Sequence, residues 1–106
     1  MAPKNKFTKP EMVEAALRVG RAKGADGLTA KNIADELGTS TQPIFTAFGS
    51  MDGIKAEAYA AAIGVYDRYT NKGLQEDIPF LGVGRQYIRF AREEPELYRL
   101  LFLTRS

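Results

Sequence analysis

Residues 28–48, LTAKNIADELGTSTQPIFTAF, decide how this chain folds. Ile33 and Leu37 lie four apart and share one helical face, Ala34 is small enough for close helix approach, and Gly38 can take the left-handed conformation that ends a helix. Beyond it, Ile44, Phe45 and Phe48 read as the apolar face of a second short helix. Two short helices meeting at a glycine turn form a helix-turn-helix, the arrangement that lays its second helix in a DNA major groove.

The flanking sequence supplies the helices such a motif packs against. Upstream, Thr8 followed three residues later by Glu11 is a capping box, and Pro10 occupies a first-turn position where its missing N–H has no intrahelical partner to lose. Val13, Ala16, Leu17 and Gly20 recur at helical spacing, and the first helix is expected to end near Gly24. Residues 24–27 read as a turn, and Thr29 caps a second helix reaching about Leu37. Thr39 or Ser40 is expected to cap the third helix, with Pro43 in its first turn.

Gly49 and Ser50 open a long fourth helix over residues 51–72, with Ile54, Ala58, Ala61, Ala62, Val65 and Tyr69 on its apolar face. Asp77 is expected to cap a fifth helix that buries Phe80, Val83, Gly84, Tyr87, Ile88 and Ala91. After Glu94-Pro95, residues 96–106 carry Leu97, Leu100, Leu101, Phe102 and Leu103, too apolar to face water. They are expected to fold back on the fourth and fifth helices, to meet another chain, or to continue into a longer protein.

Composition narrows the functional classes. A chain of 106 residues with 44% hydrophobic and 10% aromatic content suits one compact domain or one and a half, and is too apolar for disorder. It has neither a secretory signal pattern nor an apolar run of bilayer length, so a soluble protein in the cytoplasm, with no membrane partner, is expected. Without cysteine or histidine it lacks the commonest nucleophile, general base and metal ligands, so no enzyme, cofactor or metal site is expected.

The net charge is only +2, yet residues 1–55 hold eight Lys or Arg against six Asp or Glu, whereas residues 56–106 hold seven of each. Lys4, Lys6 and Lys9 precede every acidic residue and read either as a basic arm tracking phosphates or as a solvated terminus. Gly82-Val83-Gly84 lacks the third glycine and the lysine of a phosphate loop and reads as helix packing. Glu93, Glu94 and Glu96 read as a solvated charge run rather than a cation site.

Taken in order, LTAKNIADELGTSTQPIFTAFGSMDGIKAEA and the later YIRFAREEPELYRLLF resemble the N-terminal portion of the tetracycline-repressor-type (TetR) family of transcriptional regulators. The resemblance implies an all-α protein. A three-helix, homeodomain-like DNA-binding domain over residues 1–50 would precede the first helices of an incomplete regulatory domain over residues 51–106. It also implies a double-stranded DNA operator, a homodimer when full length, and a small-molecule effector.

The implied docking assigns residues to roles. Thr41, Gln42 and Thr46 become candidates for base-edge contact, with Pro43 adding an apolar contact. Thr29, Lys31, Thr39, Ser40 and Lys55 become candidates for the surrounding phosphates. The family often has tyrosine where this chain has Phe45 and lysine where it has Met51; Phe45 can still brace the DNA backbone, and Lys55 is the candidate replacement charge. Tyr59, Tyr66, Tyr69, Phe80, Tyr87 and Phe90 are candidates for an effector cavity. The alternative is a helical protein–protein interaction module without DNA binding.

Overall fold

The computed structural model describes residues 7–103, which form an all-α structure with no strand among the described residues. Helix α1 spans Lys9–Lys23; Thr8 accepts from the Glu11 amide while the Glu11 carboxylate accepts from the Thr8 amide, so the capping box is complete. Residues 25–27 close a single 3-10 turn into α2, Ala30–Leu37, whose cap Thr29 accepts from the Asn32 amide. Gly38 ends α2 at φ 74°, ψ 35°. Its N–H donates to the Asp35 carbonyl and that of Thr39 to the Ala34 carbonyl, the paired closure of a Schellman motif.

Helix α3, Gln42–Phe48, begins later than expected: its cap is Thr41, not Thr39 or Ser40. Thr41 has helical rather than extended torsions (φ −77°, ψ −16°) and makes no side-chain capping bond. Pro43 brings no N–H to this first turn, so one fewer donor requires an acceptor there. Helix α4, Met51–Leu74, is capped by Ser50, whose Oγ accepts from the Gly53 amide. Helix α5, Pro79–Glu93, starts from Ile78 without a side-chain cap; Asp77 lies one residue too early to serve. Helix α6 is short, Pro95–Tyr98, and runs into a π-helical turn, Arg99–Leu103.

Two apolar cores share α1 and α4. In the first, Met12, Ala15, Ala16 and Val19 of α1 meet Ile33 and Ala34 of α2, Ile44 of α3, and Ile54 and Ala58 of α4. In the second, Leu17 of α1 meets Ala62 and Val65 of α4, Phe90 of α5 and Leu97 of α6. The last segment therefore folds back on α1 as well as on α4 and α5. Arg21 reinforces this junction, its Nε and Nη2 donating to the two carboxylate oxygens of Glu94 at 2.9 and 3.1 Å.

Helix α5 presents a different face from the one expected. It buries Gly82, Gln86 and Phe90, while Phe80 is 86% exposed, Ile88 is 58% exposed, and Gly84 is also exposed. Gly73 of α4 and Gly82 of α5 approach backbone to backbone so closely that a Cβ on either would strike the other's carbonyl. Their contact sets which side of α5 faces α4, and positions two residues away lie ~200° around the helix. Gly84 has open space where its Cβ would stand and has no packing role. The acidic run is paired, Glu93 with Arg89, Glu94 with Arg21 and Glu96 with Arg99.

The glycines of α4 give a paired test. A Cβ at Gly53 would collide with the Phe48 carbonyl, whereas one at Gly64 meets nothing. Gly53→Ala should lower the unfolding free energy by about 1–3 kcal/mol through forced displacement. Gly64→Ala should raise it by about 0.5–1 kcal/mol through helix propensity alone. Urea denaturation of both variants checks the opposite signs.

Candidate nucleic-acid interface

Helix α3 divides into an inner and an outer side. Ile44 is fully buried and Ala47 and Phe48 pack partly beneath it. Gln42, Phe45 and Thr46 lie on the exposed side together with the cap Thr41, and Pro43 is half-buried. Phe45, expected to join the apolar face, is instead 40% exposed; it follows Ile44 by one position and so points ~100° away from the core. Gln42 Nε2 donates to Thr46 Oγ1 at 3.4 Å, a long bond that leaves both groups available. An amide, two hydroxyls and an aromatic edge thus occupy one side of a helix narrow enough for a major groove.

Groups suited to phosphate contact flank this face at several points. Lys31 is exposed and pairs with Asp35 at 3.1 Å, a surface pair that exchanges partners at little cost. Lys55 is exposed near the start of α4. Ser40 is exposed and Thr39 half-buried; the Thr29 hydroxyl oxygen accepts from the Asn32 amide in capping α2, and its O–H can still donate. Ser50, expected to open the fourth helix, caps α4 directly after α3. Lys9 does not extend as an arm: its ammonium pairs with Glu57 at 3.3 Å and lies over the Phe48 ring at 5.4 Å. Lys4 and Lys6 lie outside the described residues.

Residues 12–58 match the family model described as bacterial regulatory proteins, tetR family. The matched segment is similar to the tetR family. The domain that this family model describes is a helix-turn-helix of DNA-binding transcription regulators, and the match covers α1 to the first turns of α4, the segment that builds the first core. No curated protein and no solved structure compared with the chain gave a match. Among the described residues no helix is long and apolar enough to cross a membrane, and no three acidic side chains converge as metal ligands would.

Beyond the tetR-type domain, the aromatic candidates for an effector cavity separate into groups. Tyr66 makes edge contacts with Tyr87, Phe90 and Phe102, with centroids 6.5, 5.1 and 5.2 Å away. Tyr69 meets Phe90, and the Tyr87 hydroxyl hydrogen-bonds that of Tyr98 at 2.9 Å. Tyr98 and Phe102 join this cluster although neither was among the candidates for an effector cavity. Phe80 lies outside the ring contacts but lines, with Tyr66, Val83, Tyr87 and Ile88, an open apolar groove of about 510 Å³. Tyr59 is exposed and joins neither group.

The other wall of α5 is polar. Glu93 accepts from the Tyr69 hydroxyl at 2.7 Å and from Arg89 Nε at 2.9 Å. These two bonds hold its carboxyl below the usual carboxylate range, while burial and then the bond to Glu93 raise the Tyr69 phenol.

Because the outer side of α3 carries no core contact, Gln42→Ala and Thr46→Ala should each shift the unfolding free energy by less than about 0.5 kcal/mol. Ile44→Ala, one position inward, should cost about 2–5 kcal/mol. Thermal and urea unfolding of the three variants separates the two sides of the helix.

Proposed function

We propose that this protein is a ligand-responsive repressor, acting in the cytoplasm, that binds a double-stranded DNA operator through α3. The exposed Gln42, Phe45 and Thr46 above the buried Ile44 carry this reading. Gln42 and Thr46, with Thr41 and Pro43, read base edges, glutamine being suited to adenine and threonine methyls to thymine. Thr29, Lys31, Thr39, Ser40 and Lys55, with Phe45 as an apolar brace, hold the phosphates on either side.

Residues 1–50 act as the reading domain and residues 51–106 as the start of the regulatory domain, with α4 running directly from one to the other. In the full-length homodimer, two copies place their α3 helices about 34–36 Å apart, one DNA turn, or a multiple of it. An effector seated against Tyr66, Phe80 and Tyr87 changes DNA affinity to the extent that it binds the two arrangements of α4 unequally. The exposed apolar side of α5 favours a second reading, a helical interaction module without DNA binding.

Titration with the protein's own upstream intergenic DNA at several salt concentrations distinguishes these readings. A regulator gives saturable binding that weakens as salt rises. Gln42→Ala then costs about 1–3 kcal/mol on the preferred site, while Lys55→Ala weakens all sequences alike and lowers the salt slope by about 1. Binding that is absent, or indifferent to both substitutions, refutes the assignment.

A further inference from the structure

We infer that the crevice between α4 and α5 around Gln86 is a binding site for a compact organic oxyanion, a carboxylate or a phosphate ester. Two observations converge on it. The first is charge. A crevice of about 320 Å³ is lined by Arg68, Tyr69, Lys72, Gln86, Arg89 and Glu93, and a contiguous one adds Arg85 and Arg92 around the same Gln86, Arg89 and Glu93. Five cations thus face one carboxylate. Glu93 is engaged by Tyr69 and Arg89, one on each oxygen, and Arg85 is held by Glu76 at 2.6 Å. Arg68, Lys72 and Arg92 have no carboxylate within ion-pair distance among the described residues.

The second observation is an orphaned amide oxygen. Gln86 is only 7% exposed and its Oε1 is buried with no hydrogen-bond partner. The neighbouring buried positions of α5 are Gly82 and Phe90, so packing alone does not call for a polar side chain there. A buried amide oxygen without a partner is destabilising, and an apolar side chain of similar shape would avoid that cost. Its terminal torsion is soft, so rotation can present either end of the amide to a ligand. The flanking cations neutralise an oxyanion, and the amide, turned so that Nε2 faces the ligand, donates the remaining polar contact.

The 320 Å³ crevice shares no lining residue with the apolar groove and the contiguous one meets it only at Arg85 and Ile88, so the oxyanion site centred on Gln86 is not the effector groove proposed above. The test uses the ¹⁵N-labelled 106-residue protein, titrated separately with citrate and with inorganic phosphate at constant ionic strength set by chloride, with urea as a neutral control. Saturable shifts confined to amides in 68–72 and 85–93 are expected with citrate, with phosphate or with both; the responding probe distinguishes the carboxylate from the phosphate class.

Arg68→Glu combined with Lys72→Glu, both exposed positions, should weaken that binding at least ~10-fold. Gln86→Leu should weaken it while raising the unfolding midpoint. Shifts that fail to saturate, that spread over basic residues elsewhere, or that persist unchanged in the double variant overturn the site; binding unchanged in a stabilised Gln86→Leu variant overturns the role of the amide. No DNA enters this measurement. A protein that ignores operator DNA yet takes up citrate loses the regulator reading and keeps this one.

Discussion

Everything proposed for the outer side of α3 depends on the burial of Ile44. It is the one fully buried residue of a seven-residue helix, pressed into the core built by α1, α2 and α4. A helix this short has little stability of its own, so tertiary packing must hold it. Ile44 holds it from beneath, which leaves Gln42, Phe45 and Thr46 without structural duties. An anchor on one side and uncommitted polar groups on the other are the physical requirements for a helix that enters a groove.

The same economy links the two cores. Helix α4 gives Ile54 and Ala58 to the first and Ala62 and Val65 to the second, and Leu17 carries α1 into the second as well. Neither core is complete without both helices. Helix α4 thus packs against α3 at one end and against α5 and α6 further along, and the Arg21–Glu94 pair ties the α5–α6 corner to the same frame. Close backbone approaches at Gly53 and at Gly73 with Gly82 leave little freedom for sliding, because closely packed surfaces shift between discrete arrangements rather than deform continuously.

Much of the fold was legible because helix ends depend on local chemistry. Thr8 with Glu11, Thr29 and Gly38 each acts within a few residues of itself, and each is found performing the expected capping or closing role. The start of α3 was misplaced because Thr39, Ser40 and Thr41 are chemically alike as caps. Only the turn after Gly38, whose closure takes up the Thr39 amide, selects among them. The exposure of Gln42 and Thr46 was also legible, since they flank Ile44 in the motif. Lys9 was not, because its partners Glu57 and Phe48 are distant in sequence.

The sequence by itself determined the number of helices, most of their boundaries and the presence of a helix-turn-helix, since periodicity, caps and glycine turns are short-range signals. Tertiary structure alone decided which side of α5 is covered and what lies at its wall. Six apolar residues argued for one side, but the Gly73–Gly82 contact presents Gly82, Gln86 and Phe90 to α4. A backbone approach between residues nine apart, on two different helices, has no counterpart in the periodicity of either helix. The solvent exposure of Phe80 and the isolation of the Gln86 amide oxygen both follow from it.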